Sequence, residues 1–178
     1  MPGLTGQSLQ SFLDAVAEAA PAPGGGSSAA VAAALGAALV EMAAGLARDS
    51  EAAARASSLR GRCLELAERE LSSYRPVLEA LRLPREDPAR GDRLAAALLE
   101  ASRAPAEIAQ AGAELAELGL SVALTSSPSV RGDAVTGTLL AEAAAAAAAR
   151  LVEINLAEQP AAEARVRGTR ARAPVAEA

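Results

Sequence analysis

The sequence predicts an all-α, single-domain bundle of about six helices, expected to pair as a homodimer, and three observations predict the fold. Apolar residues recur at helical spacing almost throughout, no stretch shows the β-branched alternation of a strand, and clusters of turn residues divide the chain at five places. The breaks fall at Pro21 to Gly26, near Asp49 and Ser50, from Pro84 to Asp92, at Ala104-Pro105, and from Ser126 to Asp133.

Between the breaks the elements follow in order. A short helix starts near Ser8, and a long small-residue helix starts near Ser27. A third runs from about Arg55 to Leu81, with Pro76 expected to kink it because a proline ring cannot donate the hydrogen bond to Ser72. A fourth and fifth flank Pro105, and the last runs from about Asp133 to Ala157. The helical domain is placed at residues 1–160. Residues 161–178, an arginine-containing tail with Gly168 and Pro174, are expected to be a frayed helix or disordered.

Composition removes much chemistry. There is no His, no Lys and no Trp, and there is one Cys, Cys63. A Schiff-base or phosphate-binding lysine, a Ser-His-Asp triad, an imidazole metal site, a multi-cysteine zinc site and an intrachain disulfide are therefore all excluded. No metal and no cofactor is expected. A general acid or base must come from Asp, Glu, the single Tyr74 or Cys63.

The net charge of −5 opposes generic binding to nucleic acid, which needs a basic face. The apolar stretch from Ser28 to Ala47 is rich in Ala and interrupted by Glu41, a poor membrane span, and the start of the chain does not read as a signal peptide. A cytoplasmic protein with no membrane partner is the expectation. A core built mainly from Ala is thin per residue, and packing against a second copy would add to it.

Three places carry candidate chemistry. Gly24, Gly25 and Gly26, followed by Ser27, stand directly before the long helix. Glycines permit unusual backbone angles and close approach, and a helix start offers free N–H groups to an anion or carbonyl; a flexible corner with Ser27 as N-cap is the alternative. Glu70 is the second. It falls within an apolar arc of roughly 160° that also holds Cys63, Leu66, Ala67, Tyr74 and Val77. A carboxylate there has its pKa raised by desolvation, as a general acid/base near neutrality requires, unless an arginine pairs with it. The third is Arg131-Gly132-Asp133, with Asp133 a candidate N-cap, and further on Asn155 among apolar neighbours, where a buried amide needs partners.

In this order the motifs resemble the cyclodeaminase/cyclohydrolase family, which includes the C-terminal half of formiminotransferase-cyclodeaminase. PAPGGGSSAAVAAALGAALVEMAAGL is similar to the family's Pro-Gly-Gly-Gly-Ser loop and small-residue helix reaching a Met, here Met42. ELSSYRPVLEALRLP resembles an Asp-Ala-x-Ala-Phe/Tyr segment ending in Leu-Pro, and EASRAPAEIA a step around a proline. RGDAVTGTLLAEAAAAAAARLVEINL resembles an Arg-Ser-Asp helix ending in Asn-Val-x-Ile-Asn-Leu.

The resemblance implies a folate one-carbon enzyme. A cyclodeaminase closes 5-formiminotetrahydrofolate to 5,10-methenyltetrahydrofolate with loss of ammonia, and a cyclohydrolase adds water to the methenyl bridge. It implies Glu70, at the family's aspartate, as acid/base, the Gly24 to Ser27 loop near the ligand, Asp133 and Asn155 as supports, and Arg131 for the folate's carboxylates. Departures from the pattern are Glu70 for Asp, Gly132 for Ser, Leu151 for the first Asn, and Ala47-Arg48-Asp49 for a polar helix end. They leave open a different substrate, or a relative that binds folate without turnover.

Overall fold

The computed structural model describes residues 3–84 and 86–157, and the tail beyond residue 160 lies outside the described residues. A 3₁₀ turn at Leu4–Gly6 precedes seven α-helices: α1 Leu9–Ala17, α2 Gly25–Leu46, α3 Ser50–Ser73, α4 Arg75–Leu81, α5 Arg90–Ala101, α6 Arg103–Thr125 and α7 Pro128–Ala157. Among the described residues there is no strand, and the helices form a single domain.

Local chemistry explains several ends. The Ser8 hydroxyl caps α1 by accepting from the Ser11 N–H at 3.1 Å, and the Asp49 carboxylate caps α3 by accepting from the Ala52 N–H at 2.9 Å. That cap starts α3 about five residues before the expected Arg55. The expected kink is a full break: α3 stops at Ser73 and α4 restarts at Arg75, with Pro76 in its first turn, where the missing N–H costs nothing.

Two further expectations are corrected. Pro105 lies inside the first turn of α6 and the break comes earlier, at Ser102. Asp133 is not an N-cap, because α7 already begins at Pro128.

Helices α2, α6 and α7 form the centre, with α3 against α2 and α6. Both α2 and α6 run antiparallel to α7, since Gly25 meets Leu151 while Gly36 meets Leu140, and Gly112 meets Ala145 while Gly119 meets Thr138. Small residues let these backbones approach closely. The core between them is mostly alanine, with Val40, Leu115 and Val122 supplying bulk.

Length and composition make α2 and α7 long and apolar enough to cross a membrane, contrary to the expectation for α2, yet each has one side packed inside the bundle. Glu41 on α2 is accommodated by Arg60 of α3, whose Nε lies 2.8 Å away and holds the carboxyl below its ordinary range. Arg69 of α3 grips Glu107 of α6 with both terminal nitrogens, at 3.0 and 3.1 Å.

Candidate active site

At the end of the bundle where α2 starts and α3 and α7 finish, a cavity of about 200 Å³ opens between Pro21, Ala22, Gly24–Gly26, Glu70, Tyr74, Leu151 and Asn155. The antiparallel register creates it, bringing the first residues of α2 beside the last turns of α3 and α7.

The glycine corner does not work by unusual angles. No described glycine has a positive φ; Gly24, the N-cap of α2, is extended at φ −129°. What glycine supplies is space. A Cβ on Gly26 would collide with Oε1 of Glu70 and lie 2.5 Å from its Cγ and Cδ, so the Glu70 side chain lies flat across the Gly26 Cα. Gly24 offers no capping side chain, so the first N–H groups of α2 have no intrahelical partner beside that carboxyl.

Glu70 is half-buried, and its hydrogen-bond partner is Ser73, whose Oγ stands 3.0 Å from Oε2. Burial pushes the Glu70 carboxyl above its ordinary range, and the Ser73 hydroxyl pulls part of that shift back. The alternative of a buried pair with an arginine is not found: the ion pairs among the described residues do not include Glu70.

Asn155 lines the same cavity from α7, and its amide makes no hydrogen bond to the other described residues. Leu151, one turn earlier, packs 3.6 Å from where a Gly25 Cβ would stand. Ser27 departs from its expected place at the ligand. Its side chain is 1% exposed and its Oγ donates to the Ala67 carbonyl at 3.2 Å, tying α2 to α3.

Arg131 and Asp133 are not brought to this cavity within one chain. Asp133 and Asn155 share α7 but stand twenty-two residues apart, about 33 Å of helix, so they occupy opposite ends of the bundle. Arg131 donates from Nη2 to the carbonyl of Ser126, the residue that ends α6, at 3.3 Å. Cys63 is fully buried in the core, not in the cavity wall, and desolvation pushes its thiol up to about 11, which keeps it protonated.

Spacing and motif do not single out Ser73, Pro21 and Ala22 as site residues, and they give Tyr74 only as a candidate acid or base on the Glu70 face. Ser73 and Tyr74 follow Glu70 by three and four residues, the spacing of neighbours on one helical face, and that spacing was the available signal. Pro21 and Ala22 stand in the turn before α2, with Ala22 joined to Pro23 by a cis bond that no spacing rule marks.

Fold and cavity together define the class: an all-helical, single-domain protein that carries a half-buried carboxyl in a small pocket at one end of its bundle. The chain belongs to the formiminotransferase-cyclodeaminase family, whose sequence pattern matches residues 8–173. Among solved structures the fold is similar to that of formiminotetrahydrofolate cyclodeaminase from Thermotoga maritima. The TM-score is 0.83 and the identity 24%, over 93% of this chain and 87% of that one. No curated protein matches the chain by sequence.

Proposed function

We propose that the protein cyclises 5-formiminotetrahydrofolate to 5,10-methenyltetrahydrofolate and releases ammonia, with Glu70 as the group that moves protons. The observation that carries this reading is the Glu70 carboxyl, raised by burial, free of any cationic partner and facing a cavity beside free helix N–H groups. Family membership supports the choice of substrate.

The chemistry needs no more than such a group. Protonated Glu70 gives its proton to the formimino nitrogen, which makes the formimino carbon electrophilic. N10 attacks that carbon and a new C–N bond forms; the carboxylate takes the proton from N10 and passes it to the same departing nitrogen. The bond between that nitrogen and the carbon breaks, ammonia leaves, the methenyl bridge keeps the positive charge, and Glu70 regains a proton from water. Holding N10 against the carbon supplies much of the remaining acceleration. The cavity is smaller than a whole folate requires, so it takes the reacting end, with the Asn155 amide available to orient it.

We place the working protein in the cytoplasm as a twofold dimer. Leu35, Leu39, Met42 and Leu46 follow one another at three- and four-residue steps along α2, and Leu35, Met42 and Leu46 are exposed; on α7, which packs against α2, Leu139 is 53% exposed. An uncharged apolar strip of this kind suits an isologous partner. In such a dimer Arg131 would serve the folate's carboxylates, and Asp133 would support the site, only by reaching the partner's cavity.

A second reading, a folate-binding relative without turnover, is favoured by Leu151. It puts an apolar side chain in the cavity wall where the family's pattern has an amide. The deciding experiment follows 5,10-methenyltetrahydrofolate absorbance with wild type and Glu70→Gln. Glu70→Gln should keep the fold and lower turnover by roughly 10²- to 10⁴-fold. Full turnover in Glu70→Gln would remove Glu70 from the mechanism, and a wild type that binds folate without turnover would establish the second reading.

A further inference from the structure

Glu70 is held on two sides by residues that the acid/base assignment does not itself require. Over Gly26, Oε1 faces the first turn of α2; on the other side, the Ser73 Oγ is 3.0 Å from Oε2 and 3.0 Å from the Glu70 carbonyl oxygen. We infer that Ser73 is a positioning residue that keeps the Glu70 carboxyl in one place in both of its protonation states, leaving Oε1 to meet the substrate. This rests on the assignment of Glu70 as the proton-moving group.

A hydroxyl has one proton to donate and lone pairs to accept with. When Glu70 is ionised, Ser73 donates to Oε2, and a bond to a charged oxygen is the stronger of its two choices. When Glu70 is protonated on Oε1, the side left for the substrate, Ser73 still donates to Oε2 or turns to the Glu70 carbonyl, for which the geometry is already present. The proton can arrive and leave while the heavy atoms stay put. The segment departs from the Asp-Ala-x-Ala-Phe/Tyr pattern that it resembles at three positions, Glu70, Leu71 and Ser73, and two of these, Glu70 and Ser73, are hydrogen-bonded to each other. The longer side chain has one more torsion to fix, and the hydroxyl one turn on fixes it.

The test combines Ser73→Ala, Ser73→Thr and Glu70→Gln on the full chain. Ser73→Ala is expected to lower kcat about tenfold with KM within about twofold, and to move the pH-profile limb assigned to Glu70 to higher pH. Ser73→Thr should restore both, and Ser73→Ala should cost nothing further in a Glu70→Gln background. The Glu70 carboxyl titration followed by carbon-13 NMR should shift upward in Ser73→Ala whether or not turnover is measured. An unmoved titration, or losses that add in the double variant, would overturn the inference while leaving Glu70 in place. Full turnover in Glu70→Gln would instead overturn the assignment beneath it.

Discussion

Gly26 lies directly beneath the carboxyl of Glu70, and a methyl group on Gly26 would occupy the space that Oε1 and Cδ now fill. The atoms it would meet belong to the far end of a flexible side chain, so the glutamate can swing away without moving the backbone. Gly26→Ala should therefore fold with a Tm close to wild type and lose turnover by about 10²-fold, the usual effect of misplacing a reacting group by about 1 Å. Thermal melts and the methenyl absorbance assay, run together, check it.

The contrasting glycine pair is Gly36 and Gly137, where α2 crosses α7. A Cβ on Gly36 would sit 2.7 Å from the Gly137 carbonyl oxygen, and one on Gly137 would sit 2.8 Å from the Gly36 carbonyl oxygen. Backbone cannot swing aside as a side chain does. Gly137→Ala should cost about 1 to 3 kcal/mol of stability by forcing the helices apart, read as a lower urea midpoint.

Protonation of Glu70 should appear in stability as well as in rate. Burial raises its pKa in the folded state, so the folded protein binds the proton more tightly than the unfolded chain does. Wild type is then least penalised below the ordinary carboxylate range and loses relative stability as pH rises through the raised folded value. Glu70→Gln does not titrate at this position, so its stability relative to wild type should improve as pH climbs from acid to neutral. Paired urea melts across that span would show the difference between the two proteins changing with pH, and parallel curves would contradict it.

The apolar strip on α2 and α7 predicts the oligomeric state. Wild type at micromolar concentration should scatter light as a dimer. Leu139→Glu, which puts a charge on that strip at an exposed position, should scatter as a monomer with its helical circular dichroism retained. A monomeric wild type would sink the proposed dimer.

The chain's own periodicity was enough to establish that it folds as helices and that Glu70 lies on the partly buried face of α3, because both depend on residues within a turn or two of one another. The glycine corner was equally legible as a break before a long helix. Its purpose was not: the φ values are ordinary, and the reason for glycine at position 26 is a carboxyl forty-four residues further along. Ser27 looked like a cap and is a buried tie to Ala67; Asp133 looked like a cap and lies a turn inside its helix. Likewise Asp133 and Asn155 read as members of one site, yet a continuous helix of thirty residues holds them at opposite ends of the bundle. Local spacing determines which face of a helix a side chain occupies. Only the antiparallel register of α2 with α3 and α7, set by glycine and alanine contacts between distant segments, decides which faces meet and at which end.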